Sequence, residues 1–504
     1  MNFSSPNLLT VAVNNTLTPF TLPCGQIVRP VGPMYPSGYF RQELIFDFFN
    51  YAGIHRSVCL LSLPEPHVTG LLLHPEVVTR LDGPAVGNVW YVVESSANNS
   101  GFAAANVSCA VKIFDKDGTI VFESGSSCTG TADLDSPRLW WPIGSESQEV
   151  GHMYQLEVIL LVDSHVVDIY RQSFGLRSVK VEADGLYIND KLFYFCGFGK
   201  HEDFHVFGRG FNLPLMVKDF SLMAWTGANS FRTSHYPYAE EVMEYADQHG
   251  VVVIDESPAV GLHEFPNETL KHHQRVMEEL VDRDYLHPSV VMWSVANEPK
   301  STDRQAEYYF RTVFDHVRKL DPSRPVTFVI GGSNASLDRA AQFADIICLN
   351  HYYGWYTDTG VLNLVSPQLM YDVKTWRDRF QKPVIMTEYG ADTIAGLHTS
   401  PSFVFSEEYQ VELMAEYFTA FDQLRAAGIL AGEMVWNFAD FMTDQQVNRV
   451  WGNRKGIFTR ERQPKAGAHV VRQRYHSLAS RDSHNSSELR NLAPEHLYQV
   501  ISVV

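Results

Sequence analysis

The hydrophobic pattern along this chain changes character near residue 180. Before that point, apolar and polar positions alternate in short β-branched runs: "TVAV" (10–13), "SVCLLSL" (57–63), "NVWYVVES" (88–95), "AVKIFD" (110–115), "TIVFE" (119–123), "YQLEVILLV" (154–162) and "HVVDIYRQSF" (165–174). Turn residues such as "DKDG" separate them, and period-two runs between turns predict all-β sandwich material. The proline-containing "LPEPHV" (63–68) reads as a boundary between two β modules.

After "FGLRSVKVEADGLYINDK" the period lengthens, and apolar strands begin to alternate with amphipathic helices. The strands are "LFYFCGFG" (192–199), "NSFRTSH" (229–235), "VVVIDES" (251–257), "SVVMWSVANE" (289–298), "PVTFVI" (325–330), "DIICLNHYY" (345–353), "PVIMTEYG" (383–390) and "GEMVWNF" (432–438). Helices such as "YAEEVMEYADQHG", "RQAEYYFRTVFDHVRKLD" and "EEYQVELMAEYFTAFDQLRAAG" run between most of them. Eight strand-helix units over this length predict a (β/α)8 TIM barrel, with a doubly wound sheet as the alternative. A barrel places chemistry at the C-terminal ends of its strands.

At 504 residues the chain is too long for one core. A formal net charge of −18 argues against nucleic acid as a partner. No run of 18 apolar residues occurs, so no membrane span is expected. The six cysteines show no metal-type spacing. Cys59, Cys196 and Cys348 lie in apolar runs and read as buried free thiols. Cys109 and Cys128 flank a hairpin, where a disulfide is the minority reading.

The barrel rule singles out Glu298, ending strand four in "ANEP", and Glu388, ending strand seven in "TEYG". Two carboxylates across one barrel mouth suit glycoside hydrolysis, one as proton donor and one as nucleophile or base. Either glutamate alone reads equally well as a helix cap or an arginine partner. Taken alone, the tyrosines of "NHYYGWY" (350–356) read as packing. His201, in "KHED", and His235 read as core or loop residues, or as part of a His/Glu metal site. Trp436 reads as core and "NRKG" as a solvated turn.

"WSVANEP", "TEYGADT", "FRTSHYPY", "VVVIDE", "NFADFMT" and "GNRKGIFTRERQPK", with "DFFNYAGIHRSV" at 47–58, resemble the β-glucuronidases of glycoside hydrolase family 2, along nearly the whole chain. The resemblance implies Glu298 as general acid/base and Glu388 as nucleophile of a retaining displacement, with carboxyl groups about 5–5.5 Å apart. It implies Asn297 on the sugar 2-hydroxyl, Tyr352 bonded to the nucleophile, and Tyr356, His201, His235 and Trp436 lining the sugar pocket. Asp47 would reach into that pocket from the front module. Asn453 and Lys455 match the family's Asn-x-Lys motif and Arg449 a further arginine of that loop; a buried sugar carboxylate needs such donors. No metal or organic cofactor is implied, because both reacting groups are side chains.

Family members carry a jelly roll, an immunoglobulin-like sandwich and the barrel. The expected division here is 1–63 as a partial jelly-roll β-sandwich, 64–177 as an immunoglobulin-like β-sandwich, and 178–504 as the catalytic TIM barrel. A partial jelly roll should leave unpaired edges and an uncovered apolar face. The first twenty residues do not read as a signal peptide, whereas seven N-x-S/T sequons, at Asn2, Asn14, Asn98, Asn106, Asn267, Asn334 and Asn485, point to a secretory setting. Resemblance to animal members implies a lysosomal homotetramer acting on glucuronides or glycosaminoglycan fragments. The competing expectations are a shortened, inactive partner of full-length subunits and a relative acting on neutral β-glycosides.

Overall fold

The computed structural model describes residues 6–78, 85–98, 106–145 and 149–483. The sequons at Asn2 and Asn485 lie outside these residues, while Asn14, Asn106, Asn267 and Asn334 are exposed.

Between residues 68 and 174, seven strands form two antiparallel sheets. One has Val68–Val78 beside Val86–Ser95 beside Thr129–Asp135; the other runs Ile120–Ser124, Val107–Phe114, Tyr154–Val162, His165–Phe174. Alternate residues of Val107–Phe114 point inward, so Cys109, Val111 and Ile113 are fully buried against Val89, Ala132, Leu156 and Val158. This inward-outward alternation buries one face of each sheet. Cys109 and Cys128 are bonded, with their Cα atoms 4.7 Å apart. The bridge bears out the minority reading for this pair and ties one sheet to the other. Cys59 is exposed, against expectation, while Cys196 and Cys348 are buried.

A three-stranded antiparallel sheet, Val179–Glu182, Gly185–Ile188 and Lys191–Phe193, follows. Its Leu186, Ile188 and Phe193 share a core with Phe195, Val252, Ile254, Val291 and Ile385. Since residues 193 and 195 lead into the barrel's first strand, this sheet plugs the barrel's N-terminal end.

The barrel is closed and parallel, with strands one to eight at Phe195–Gly199, Ser230–Arg232, Val252–Glu256, Val290–Asn297, Val326–Ile330, Ile347–Asn350, Val384–Glu388 and Leu430–Val435. Every residue of these strands is buried, which is why they read as continuous apolar runs in the sequence. Helices cover the outside: Arg304–Leu320, capped by Asp303, buries Tyr309, Phe310, Val313, Phe314 and Val317 at three- and four-residue spacing. One expected helix is missing among the described residues. Strands five and six are joined through "GGSN" and a single 3-10 turn, Ala341–Phe343.

Residues 6–63 show one two-stranded ribbon, Gly25–Val28 paired with Arg41–Leu44. The remainder is irregular, and neither "TVAV" nor "SVCLLSL" forms a strand. Val11, Val13, Leu60 and Leu61 are exposed, as an apolar face without a second sheet would be. Leu17, Cys24, Phe46 and Phe48 are instead buried in the barrel's core.

Candidate active site

Strand ends two, three, four, six and seven converge on one buried polar cluster. Arg232, ending strand two, is fully buried. Its Nη1 donates to both carboxylate oxygens of Glu256, ending strand three, at 2.8 and 2.9 Å, and its Nη2 donates to Glu388 Oε1. Burial opposes the guanidinium charge, but Glu256 and Glu388 outweigh it and raise the pKa. Burial also works against the Glu256 carboxylate, yet Arg232, His235 and Ser294 hold its pKa below the usual range. Arg232 and Glu256 therefore stay charged inside the barrel, with Glu388 on the other arm of the guanidinium.

Glu388 accepts from Arg232 on one oxygen and from the Tyr352 hydroxyl on the other. His235 Nε2 stands 3.9 Å from the Arg232-bound oxygen. A carboxylate held by both oxygens is aimed as a nucleophile must be. Glu298 differs. It follows strand four with φ of +46°, a left-handed conformation that side chains other than glycine's adopt at a cost of about 1–3 kcal/mol. Gly331 makes room for it, since a Cβ there would stand 3.1 Å from Glu298 Cγ and Cδ. Glu298 is exposed, while protein atoms crowd around its side chain. That crowding, and then the nearby Glu388 charge, raise its pKa against a 2.7 Å hydrogen bond from Asn350 Nδ2. Neighbouring carboxyls with environments this different are suited to separate acid and nucleophile roles.

Asn297 is buried, its side-chain oxygen 3.3 Å from Asn350 Nδ2 and 3.4 Å from Arg232 Nη1. His235 Nδ1 lies 2.9 Å from Glu256, and its ring stacks on Trp436 at 5.0 Å. His201 packs edge-on to Trp436 at 5.3 Å and against Phe441 at 4.1 Å. Burial, and then His235, push its pKa well down, so the ring is neutral. Its Nδ1 meets the Tyr236 hydroxyl at 3.1 Å, and its buried Nε2 has no protein partner. The carboxylates beside it are committed elsewhere. Glu202 accepts from the Ala239 N–H and Arg56, and Asp203 from Tyr51 and Arg460.

The loop after strand eight supplies a second cluster. Lys455, 1% exposed, donates at 2.8 Å to both Asp392 and the Tyr356 hydroxyl. Asn453 Nδ2 donates to Asp47 at 2.9 Å. Arg449 Nε donates to both Asp47 oxygens at 2.9 Å, and its Nη2 to Tyr356 at 2.6 Å. The Lys455 ammonium also lies 5.4 Å from the Tyr352 ring, which ties this cluster to the Glu388 side.

Asp47 reaches the cluster on a strap of chain that crosses the barrel mouth. Phe49 N–H donates to Met442 O at 2.9 Å, Phe48 packs on His201 at 5.3 Å, and Tyr51 donates to Asp203 at 2.8 Å. Gly208, at φ +53°, lets Tyr51 approach, since a Cβ there would stand 2.7 Å from the ring.

Every residue singled out in the sequence thus lies at this mouth. Glu298, Glu388, Tyr352, Asn297, His201, His235 and Trp436 form one group, and Asp47, Tyr356, Arg449, Asn453 and Lys455 the other. Sequence reading passed over Arg232, Glu256, Asn350 and Asp392. The first three end barrel strands, so the rule that found the glutamates would have found them too.

Residues 179–480 match the model of the glycosyl hydrolases family 2 TIM barrel domain, and residues 72–177 match that of glycosyl hydrolases family 2. The chain is 46% identical to the β-glucuronidase of Rattus norvegicus over 476 residues, 94% of this chain and 71% of that protein. It is also 46% identical to that of Homo sapiens over 479 residues, 94% and 71% of the two chains. Among solved structures, the β-D-glucuronidase of Dictyoglomus thermophilum superposes with a TM-score of 0.82 at 41% identity, covering 92% of this chain and 78% of that one. The Ruminococcus gnavus β-glucuronidase in complex with D-glucuronic acid gives 0.81 at 37%, covering 91% and 76%. A closed barrel with paired glutamates at its strand ends, matched over its full span by a family model, makes this chain a glycoside hydrolase belonging to glycosyl hydrolase family 2.

Proposed function

We propose that the chain is a retaining β-glucuronidase that removes terminal β-D-glucuronic acid from small glucuronides and glycosaminoglycan fragments. The observation that carries the sugar assignment is the Lys455–Asn453–Arg449 cluster beside the glutamate pair. Buried cationic and amide donors at one end of a sugar site fit a uronate carboxylate and are wasted on a hydroxymethyl group. The names of the relatives support the same reading.

In the proposed mechanism Glu388 attacks the anomeric carbon. The bond from that carbon to the leaving oxygen breaks, and the oxygen takes its electron pair and the proton of Glu298. The raised pKa of Glu298 supports its role as acid. In the second half a water attacks the glycosyl ester, Glu298 takes the water's proton, and Glu388 departs as carboxylate, so configuration at the anomeric carbon is retained. Arg232 and Tyr352 hold Glu388 on line, Asn297 meets the 2-hydroxyl, and His201, His235 and Trp436 wall the sugar. His201 Nε2 is a candidate partner for a sugar hydroxyl, and Tyr356 and Asp47 complete the carboxylate end.

The division at residues 63 and 177 into partial jelly roll, sandwich and barrel belongs to this proposal. A lysosomal setting and a homotetrameric assembly extend it, supported by resemblance to animal members. The test is turnover of a fluorogenic β-D-glucuronide by the purified protein beside Glu388→Gln, together with a panel of neutral β-glycosides. Turnover confined to the glucuronide and lost in the variant supports the reading. Equal turnover of β-galactoside or β-glucoside, or no turnover by a folded, monodisperse sample, overturns it.

A further inference from the structure

Behind the carboxylate cluster lies a buried cation that none of these roles uses. Lys465, 1% exposed, spends its three ammonium hydrogens on three different segments. It donates to Thr393 O in the loop after strand seven at 2.8 Å, to Arg454 O in the loop after strand eight at 2.9 Å, and to Asp440 Oδ1 at 2.8 Å. An ammonium has three donors and no acceptor, so its capacity is filled.

The two carbonyls it grips sit next to the cluster. Thr393 follows Asp392, the partner of Lys455, and Arg454 stands between Asn453 and Lys455. The same two loops are stitched again by Arg454 N–H to Asp392 Oδ1 at 2.6 Å and by Thr393 N–H to Arg454 O at 2.9 Å. On its far side Asp440 accepts from Arg454 Nη1 at 3.2 Å, so one carboxylate joins both cations. Asp440 N–H in turn donates to Phe458 O at 2.9 Å, and Lys465 N–H to Ile457 O at 3.0 Å, anchoring the pair to the chain just after the cluster. Lys465 and Asp440 are both buried, so solvent does little to weaken the pair they form.

We propose that Lys465, paired with Asp440, is a positioning residue for substrate selection: it locks the strand-seven and strand-eight loops in the one register that brings Asp392, Asn453 and Lys455 onto a uronate carboxylate. This rests on the reading that Asn453 and Lys455 receive that carboxylate. Glu298 follows strand four, and Glu388, though it ends strand seven, is held by Arg232 and Tyr352 and takes nothing from Lys465, so the lock acts on recognition of the sugar's acid group and leaves the reacting pair in place. A misplacement of about 1 Å in such a contact lowers rate or affinity on the order of 10²-fold, and a supporting shell of this kind is what prevents it.

The test is a double variant, Asp440→Asn with Lys465→Met, which removes both buried charges together and strands neither. Binding of uronic deoxynojirimycin and of deoxynojirimycin, which differ only in carrying a carboxylate or a hydroxymethyl, is measured by calorimetry on protein whose melting is recorded in parallel. The parent should prefer the uronic compound. In the variant its dissociation constant should rise at least tenfold while that of the neutral compound stays within threefold. An unchanged preference in a cooperatively melting variant overturns the proposal, as does an equal rise for both compounds, the mark of general damage. Should the double variant fail to melt cooperatively, Lys465→Arg, which keeps the charge and changes its reach, decides by the same ratio. If the parent itself shows no preference, the carboxylate reading fails before the lock is reached.

Discussion

Replacing Lys455 with methionine is the sharpest probe of the sugar assignment. The ammonium is 1% exposed, so neither solvent nor salt dilutes what it contributes. A hydrogen bond from a buried cation to a carboxylate contributes about 1.5–3 kcal/mol. Its removal has a second effect. Asp392, also buried and 2.8 Å from the ammonium, would face the incoming sugar carboxylate with Arg449 Nη1, 3.4 Å away, as its remaining cation, at a further cost of about 1–3 kcal/mol. The sum, about 2.5–6 kcal/mol, corresponds to a loss of about 10²- to 10⁴-fold in kcat/KM on a chromogenic glucuronide. Adding Asp392→Asn should recover the second contribution and leave the first. The assay is steady-state kinetics on glucuronide and glucoside with a melting curve for each variant. Turnover of the glucuronide within tenfold of the parent by a folded Lys455→Met protein would refute the reasoning.

Other perturbations separate the remaining roles. Tyr352→Phe removes the donor to Glu388 and should lower kcat by about 10- to 150-fold, the worth of one charged hydrogen bond, with little change in KM; a change in KM alone would show that the hydroxyl serves binding instead. Asn350→Ala removes the hydrogen bond that favours ionised Glu298, so its raised pKa should climb further and the alkaline limb of kcat/KM move to higher pH. A limb that moves to lower pH contradicts this. His273 is buried neutral between the Tyr309 hydroxyl and Val295 O, and burial depresses its pKa to about 4. As pH falls below about 6.5 the unfolded chain takes up the proton while the folded chain does not, so about 3 kcal/mol of stability should be lost between there and pH 4. Melting temperature followed over that range should fall less steeply in His273→Gln, and parallel slopes would exclude the histidine as the cause.

All eight barrel strands were legible because a parallel strand covered on both faces must be apolar throughout, and "VVMWSVAN" needs no context to be recognised. The sandwich strands were legible where one face is buried, as in "YQLEVILLV". What escaped notice was polar or short. "RQEL" (41–44) and "TGTADLD" (129–135) owe their strand form to a partner, since each pairs with a neighbouring strand despite a weak pattern of its own. "SVCLLSL" shows the converse: high β-propensity without a partner leaves Leu60, Leu61 and Leu63 exposed in irregular chain. The disulfide was under-read for a related reason. Cys109 lies within a strand of one sheet and Cys128 just before a strand of the other, and sequence spacing carries no information about the gap between sheets. In the site, the glutamates and the Asn-x-Lys motif were readable, but Asp392 was not. It sits four residues beyond a strand end, and its purpose follows only from Lys455 coming to it in space.

That pairing explains how an acidic chain keeps a buried cationic pocket. A lone Lys455 beside Arg449 inside protein would suffer both desolvation and mutual repulsion. Asp392 and Asp47 answer each cation with an anion, so the cluster is close to neutral and its donors are already aimed. The two cations are matched from different distances in sequence: Asp392 comes from the neighbouring barrel loop, whereas Asp47 comes on the strap from the front of the chain. Under the proposed function, a uronate carboxylate arriving there meets the buried donors of Lys455 and Asn453, and a neutral sugar gains nothing from them. Selectivity then depends less on net charge than on how rigidly those donors are held. Arg449, which hydrogen-bonds Asp47 and Tyr356 together, links the strap to the tyrosine loop, and under the proposed function the front of the chain is part of the recognition of the sugar.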